Sequence, residues 1–170
     1  DAPFVIHAEN CTDGTDEWLK ENGKKYNLEY YIDKNNIPLG IGGGMNFCAD
    51  KTKTKFINFL HSDFYVSKDW DLKLLETHKK YNNKVWVFSQ RIQPNIFNEQ
   101  SRAGTLIVPL SEFGGYYNDF DKNYFLEYAK VLSDSNDFEI NLGEGISGLI
   151  LKEAWDYIGG NDPLFAPASW

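Results

Sequence analysis

The chain has 170 residues, which suits one compact domain, and 42% of them are hydrophobic, which excludes a disordered chain. Its formal net charge of −8 makes the surface repel nucleic-acid phosphates, which argues against a nucleic-acid-binding role. The same charge would repel a nucleoside diphosphate unless a divalent cation stood between the two.

The sequence contains neither a membrane span nor a disulfide framework. No apolar run approaches the roughly 20 residues that a membrane-spanning helix needs, and no signal peptide opens the chain. Cys11 and Cys48 are too few for a disulfide framework or a zinc site. We therefore expect a cytoplasmic protein without an integral membrane segment.

The chain begins with a predicted strand and helix. Phe4–Ala8 is an apolar run that ends in a polar turn, which is typical of a buried strand. Thr12 or Asp13 is expected to cap the helix that follows, because side-chain oxygens accept from the free N–H groups of a first turn. That helix is expected to run to about Asn22 and to end at Gly23.

A second strand, Leu28–Ile32, leads into a glycine-rich stretch. The run at residues 40–44 is expected to open a short helix around Met45–Asp50. Its glycines could let the backbone approach a phosphate near the helix N-terminus. The alternative is a flexible loop, since the run matches neither the Rossmann nor the P-loop spacing.

Phe56–Leu60 predicts a strand that ends directly in His61, Ser62 and Asp63. A carboxylate at a strand end, together with substrate phosphate oxygens, suits Mg²⁺ or Mn²⁺. His61 as a second ligand would favour manganese. Alternatively, Asp63 caps the next turn and His61 packs.

Helical spacing and short apolar runs predict the elements of the rest of the chain. The predicted helices are Trp70–Tyr81, Tyr124–Leu132 and Lys152–Ile158, and the predicted strands are Val85–Ser89, Leu106–Val108 and Ile146–Leu151. His7 in a strand and His78 on a helix face are expected to pack. Strands that alternate with helices predict an α/β fold with a mostly parallel central sheet flanked by helices. Phe4–Ala8, Phe56–Leu60 and Val85–Ser89 are expected to be interior strands.

Four segments in order resemble the family 2 glycosyltransferases, which have the GT-A fold of nucleotide-diphospho-sugar transferases. Residues 4–15, FVIHAENCTDGT, resemble the family's V-V-D-D-G-S-T-D-G-T stretch. Asn36, Gly40 and Asn46 are similar to its N…G…N segment, and 56–63 to the strand that carries its D-x-D motif. Residues 145–162 resemble its acceptor-side stretch, which ends in G-G-F-D.

The resemblance implies a donor site. It assigns nucleotide-sugar binding to Glu9, Asp13, Gly40, Asn46, Ser62 and Asp63, and metal binding to Asp63 and His61. Glu9 falls on an aspartate that contacts the nucleotide base. The site is expected to hold a nucleoside-diphosphate sugar, with a UDP-sugar favoured, and Mn²⁺ or Mg²⁺.

The chain also departs from the family pattern. Ala8 and His61 stand where the family has aspartates, and Asn161 stands where it has phenylalanine. The family's first strand is expected before the start of this chain and its catalytic base beyond Trp170, so the chain resembles an enzyme truncated at both ends. Glu144 and Asp162 are the weaker candidates for the base.

The resemblance implies metal-dependent transfer of a sugar to an acceptor hydroxyl, with inversion. We expect one domain, with residues 1–90 on the donor side and 91–170 on the acceptor side. One alternative is a non-catalytic nucleotide-sugar or glycan-binding module with the same fold. A nucleotidyltransferase is a second alternative, but its glycine-rich G-x-G-T-R-like loop is missing from the sequence.

Overall fold

A computed structural model describes residues 2–81, 86–95, 105–116, 118–134 and 148–165. Within them the strands are β1 (Phe4–Glu9), β2 (Leu28–Asp33), β3 (Phe56–Asn58), β4 (Val87–Phe88), β5 (Arg91–Pro94), β6 (Thr105–Val108) and β7 (Gly148–Leu151). The helices are α1 (Thr15–Asn22), α2 (Gly40–Lys51), α3 (Trp70–Lys80), α4 (Leu110–Phe113), α5 (Lys122–Asp134) and α6 (Lys152–Ile158), with a 3₁₀ turn at Pro163–Phe165. No helix among these residues is long and apolar enough to cross a bilayer.

The chain forms two compact units. Unit 1 contains Asp1–Ile57 and Ile150–Trp170, and unit 2 contains Asn58–Leu149. The chain passes from one unit to the other within β3 and again within β7. Unit 1 is therefore discontinuous in sequence, and unit 2 is a single stretch between its two parts.

Unit 1 is built on the parallel pair β1–β2. The register runs from Phe4 beside Leu28 to Glu9 beside Asp33. Both strands were predicted, and each extends one residue beyond its predicted end. Because the strands are parallel, their carboxyl ends lie at the same edge, where α/β proteins bind ligands.

Helix α1 begins later than the sequence suggested. Its N-cap is Gly14, at a φ of 91°, rather than Thr12 or Asp13. Asp13 nevertheless accepts the N–H of Thr15 at 3.1 Å, so its carboxylate still serves the first turn. A left-handed residue is needed at that point, and glycine adopts this conformation without strain. The predicted end at Gly23 is confirmed.

The glycine run lies inside α2 instead of preceding it as a loop. A Cβ on Gly44 would lie 3.4 Å from Nδ1 of His7, and one on Gly42 would lie 3.3 Å from the Asn161 side chain. The glycines thus let the helix approach β1 and the segment at residue 161 closely. Phe47 of the same helix packs on His7, with ring centroids 4.7 Å apart. His7 therefore packs in a strand, as predicted.

In unit 2, α3 agrees with its predicted helix and buries Leu74 and His78. Strands β5 and β6 form a parallel pair, from Arg91 beside Thr105 to Pro94 beside Val108. An aromatic cluster lies around α4 and α5, with only Phe113 fully buried. Ring centroids are 5.2–5.8 Å apart for the contacts among Tyr65, Phe113, Phe120, Tyr124, Phe125 and Tyr128. Neither β5 nor α4 was predicted, because each is too short to show a hydrophobic period.

The strand order β3-β7-β4 corrects the predicted interior strands. Among the described residues, β7 lies between the other two and is buried from Gly148 to Ile150, while β3 and β4 lie on either side of it. The pair β4–β7 is antiparallel. β1 pairs with β2 in a separate two-stranded sheet within the described residues. An apolar run indicates that the side chains of a strand are buried. It does not show with how many neighbouring strands that strand pairs.

Candidate functional site

The candidate site in unit 1 is the edge at which β1 and β2 end. The polar turn after β1 and the start of α2 both lie there. Asn10 adopts a left-handed φ of 50°, and its N–H donates to the carbonyl of Asp33 at 2.8 Å. Asn tolerates this conformation better than most residues. The turn is thereby tied to the end of β2.

The Glu9 carboxylate caps the N-terminus of α2. One oxygen accepts the N–H of Leu39 at 2.5 Å and the other accepts that of Gly40 at 3.0 Å. A helix N-terminus favours an anion, because its free N–H groups and the helix dipole are positive there. The sequence assigned Glu9 and Gly40 to one site, and the structure brings them into contact. The Glu9 carboxylate therefore lies at the helix N-terminus that was considered as a binding site for a phosphate.

Asn46 is held by the backbone of Asn161. Its Nδ2 donates to the carbonyl of Asn161 and its Oδ1 accepts the N–H of Asn161, both at 2.8 Å. Asn161 also donates to the carbonyl of Gly42 at 3.3 Å. Asn46 thus links α2 to the segment after α6. The role of Asn46 in nucleotide-sugar binding stays a prediction.

Asp13 lies on an open pocket of about 300 Å³ that is also lined by Gly14, Thr15 and Trp18. Its carboxylate accepts the Thr15 hydroxyl at 2.7 Å. That hydrogen bond is the main reason why the pKa of Asp13 lies below its ordinary value of 3.8. Trp18 is half-exposed and stacks on Tyr26 with centroids 5.9 Å apart. The pocket therefore offers an anion and an aromatic face.

Lys34 brings positive charge to the same edge. Its Nζ lies 2.6 Å from a carboxylate oxygen of the buried Asp16 and donates to the carbonyl of Cys11 at 2.7 Å. The hydrogen bond to Asp16 raises the pKa of the Lys34 ammonium above its ordinary value. The lysine connects the turn after β1 and helix α1 to the end of β2.

The predicted metal ligands lie in a turn of unit 2. His61 accepts the N–H of Phe64 through its carbonyl at 3.2 Å, and its ring lies 5.5 Å from that of Phe64. Ser62 and Asp63 are exposed. The Asp63 carboxylate makes no hydrogen bond or ion pair with another described residue. Because these residues belong to unit 2, their sharing one cleft with Glu9 and Asp13 stays a prediction, as does the metal site.

The structure describes one of the two candidates for the general base. Asp162 is exposed, and its carboxylate accepts the N–H of Leu164 at 2.9 Å, which places it in the turn before the 3₁₀ segment. Glu144 lies outside the described residues. A catalytic role for either one stays a prediction.

One group of side chains was missed by the sequence reasoning. His7 Nε2 lies 3.7 Å from a carboxylate oxygen of Asp33. With Glu9 they form a group whose possible ligand atoms all lie within 4.8 Å of one another. The signal was present in the sequence, because His7 and Glu9 are two residues apart and so share one face of a strand. The alignment of Asp33 with Glu9 could not be read from the sequence.

Comparison with known proteins identifies a family. The model of the family described as glycosyl transferase family 2 matches residues 5–136, from β1 to beyond α5. This family has the GT-A α/β fold that the sequence predicted, and the helices and small sheets described above agree with it. No curated protein and no solved structure matches the chain significantly.

Proposed function

The chain belongs to glycosyl transferase family 2, and from this premise we propose that it moves a sugar from a nucleoside-diphosphate sugar to an acceptor hydroxyl. The donor is a UDP-sugar in the first place, and the acceptor is a glycan or another hydroxyl compound. The transfer depends on Mn²⁺ or Mg²⁺ and inverts the anomeric centre. These details go beyond the family assignment and rest on the motifs of the chain.

The observation that carries the proposal is the parallel pair β1–β2 with the Glu9–Asp13 turn at its carboxyl edge. Ligands of α/β sheets bind beyond such edges. The pair lies inside the segment that matches the family. An open pocket beside Asp13, with the half-exposed Trp18 ring, supplies room and an apolar face for a ring-shaped part of the donor.

The turn at 61–63 fits a divalent cation chemically. Asp63 is exposed and its carboxylate has no partner among the described residues, so its lone pairs are free for a hard cation. His61 adds an imidazole, which suits Mn²⁺ better than Mg²⁺. The ion would stabilise the negative charge that develops on the departing diphosphate.

The remaining task is to take a proton from the acceptor hydroxyl, and a general base in reach of that hydroxyl must do it. Among the described residues Asp162 is the candidate that the sequence offers. One of its oxygens already accepts an N–H, and a carboxylate retains lone pairs for a second partner. Its role is therefore open to test by substitution.

Titration calorimetry with UDP and a UDP-sugar, with Mn²⁺ and with chelator, tests the donor side. We expect binding at least about tenfold tighter with the metal, equal to 1.4 kcal/mol. Asp63→Asn should remove that difference. Asp134→Asn, another exposed aspartate of unit 2, should keep it. Equal binding in chelator and in Mn²⁺ would contradict the metal dependence.

Turnover separates the enzyme from the alternative of a binding module. Release of UDP from the sugar donor is measured with and without a panel of glycan acceptors. Acceptor-stimulated release supports transfer. Saturable donor binding without turnover on any acceptor would favour the non-catalytic module, and Asp162→Asn then becomes uninformative. If turnover is seen, its loss in Asp162→Asn at unchanged donor affinity would support Asp162 as the base.

A further inference from the structure

We propose that His7, Glu9 and Asp33 bind a Zn²⁺ ion that joins β1, β2 and the start of α2. Three protein ligands leave the fourth position of a tetrahedral zinc ion to a water molecule, and the binding needs no nucleotide. Its three ligands differ from the residues of the turn at 61–63, to which the donor metal is assigned. It does not depend on the proposed function, since it is argued from the side chains of unit 1 alone.

The His7 imidazole points a buried nitrogen at the acidic pair. Its side chain is 5% exposed, and Nε2 is a buried atom without a hydrogen-bond partner. Buried polar atoms are almost always satisfied, so an unpartnered one requires an explanation. On the side of α2 the ring packs on Phe47, and a Cβ on Gly44 would lie 3.4 Å from its Nδ1.

The spacing of the three side chains approaches that of a zinc site. His7 Nε2 and Asp33 Oδ2 are 3.7 Å apart. Two ligands at 2.0–2.1 Å from a tetrahedral zinc ion lie about 3.3 Å apart. The Glu9 carboxylate completes a group within 4.8 Å, so small side-chain shifts bring all three to bonding distance. Imidazole and carboxylate are both common zinc ligands.

A direct ion pair explains the arrangement less well. A distance of 3.7 Å is too long for a hydrogen bond between His7 and Asp33. A protonated imidazole would also supply one positive charge to two neighbouring carboxylates, and like charges at such a spacing repel. A divalent ion neutralises both acids and gives the imidazole nitrogen a partner.

Both carboxylates are oriented by backbone and amide donors. Glu9 accepts the N–H groups of Leu39 and Gly40. Asp33 accepts the N–H of Asn35 at 3.1 Å and its Nδ2 at 2.6 Å. Each carboxylate oxygen has a further lone pair for a metal. Ligating carboxylates in metalloproteins are held by such hydrogen bonds, which keep them in place for the ion.

Calorimetric titration of the chelator-treated full chain with Zn²⁺, without nucleotide, tests the site. We expect one saturable equivalent that His7→Phe and Asp33→Asn each weaken more than about a hundredfold, since loss of an orienting hydrogen bond alone costs 10–100-fold. His61→Ala should retain this equivalent. Co²⁺ in place of Zn²⁺ should give a visible absorption band that disappears in Asp33→Asn.

Asp33→Asn keeps the size of the side chain and an oxygen for the N–H of Asn35, so it decides the outcome if His7→Phe fails to fold. Circular dichroism checks both variants for folding. Absence of saturable Zn²⁺ binding by the wild-type chain overturns the proposal. Binding that is lost in His61→Ala but kept in the folded Asp33→Asn variant also overturns it, because the ion would then lie at the turn of unit 2.

Discussion

Two turns that follow strands carry the acidic residues that the sequence singled out, and these residues differ in their partners. The first turn comes directly after β1, whereas β3 ends at Asn58, before the predicted Leu60, so Asp63 lies five residues beyond it. After β1, both oxygens of Glu9 accept backbone N–H groups from the start of α2. After β3, the Asp63 carboxylate is exposed and has no partner among the described residues. Both residues were assigned to one donor site from their place in the family motifs.

The Glu9 carboxylate stabilises the fold, whereas the Asp63 carboxylate remains available to a ligand. Two backbone donors at a helix N-terminus hold Glu9, so the folded state itself depends on its charge. Nothing comparable holds Asp63, so its substitution should leave the folded state intact. Effects on stability and on ligand binding therefore distinguish the two residues.

The largest expected effect is that of Glu9→Ala. It removes two charge-assisted hydrogen bonds at a half-buried helix end and should lower the free energy of unfolding by about 3 kcal/mol. Asp63→Ala should change it by less than about 0.5 kcal/mol, as is usual for exposed sites. Urea unfolding in the presence of chelator measures both without a contribution from bound metal.

The comparison would fail if the two variants were equally stable. Glu9→Gln is the matched control, since its amide oxygen can still accept one of the two N–H groups. It should fall between the wild-type chain and Glu9→Ala. A loss of nucleotide affinity in Glu9→Gln at nearly normal stability would show that Glu9 contacts the nucleotide, as the resemblance implies.

A smaller effect is expected for Asn46→Ala. Asn46 was assigned to nucleotide-sugar binding but resembles Glu9 in being held by backbone groups, here those of Asn161. Loss of both hydrogen bonds should cost about 2 kcal/mol of unfolding free energy. Asn161→Ala keeps the two backbone groups and should cost less than about 1 kcal/mol. Equal losses in the same urea experiment would contradict the structural role of the Asn46 side chain.

The smallest effect concerns Asp13, which is exposed and held only within its own turn. The Thr15 hydroxyl lowers the pKa of its carboxyl below 3.8. Its contribution to stability is therefore present above that pH and is lost as the pH falls through the lowered folded-state pKa. Asp13→Asn should lower the thermal midpoint slightly at neutral pH, where the contribution is present, and should converge with the wild-type chain in acid, so that its decline below about pH 4 is flatter. An unaltered acid profile would contradict this assignment.

The sequence predicts local elements well where the hydrophobic period is long or a turn signal is clear. α3 and α6 agree with their spacing, and Gly159 ends α6 at a φ of 81°. The sequence did not predict that the glycine run at residues 40–44 lies within the helix, because glycine disfavours helix interiors. Its place inside α2 follows from the close approach to His7 and Asn161, which is a tertiary contact.

The candidate site was predictable in its location but not in its bonding. The rule that ligands bind at the carboxyl ends of strands led directly to Glu9 and Asp13. The capping of α2 by Glu9 joins residues about 30 positions apart, and the bonds of Asn46 join residues 115 apart. Such pairings depend on how the elements pack, which no local pattern encodes.

The discontinuity of unit 1 has a consequence for synthesis on the ribosome. Asn58–Leu149 lies between the two parts of unit 1, so β1, β2 and α2 leave the ribosome well before residue 161 exists. At 5–20 residues per second, translation of that intervening stretch takes roughly 5–20 s. During this interval Asn46 lacks its partner, and the glycine-rich helix exposes the surface that Asn161 later covers. We expect unit 2 to fold first, and the nascent first segment to be the part of the chain that most needs a chaperone.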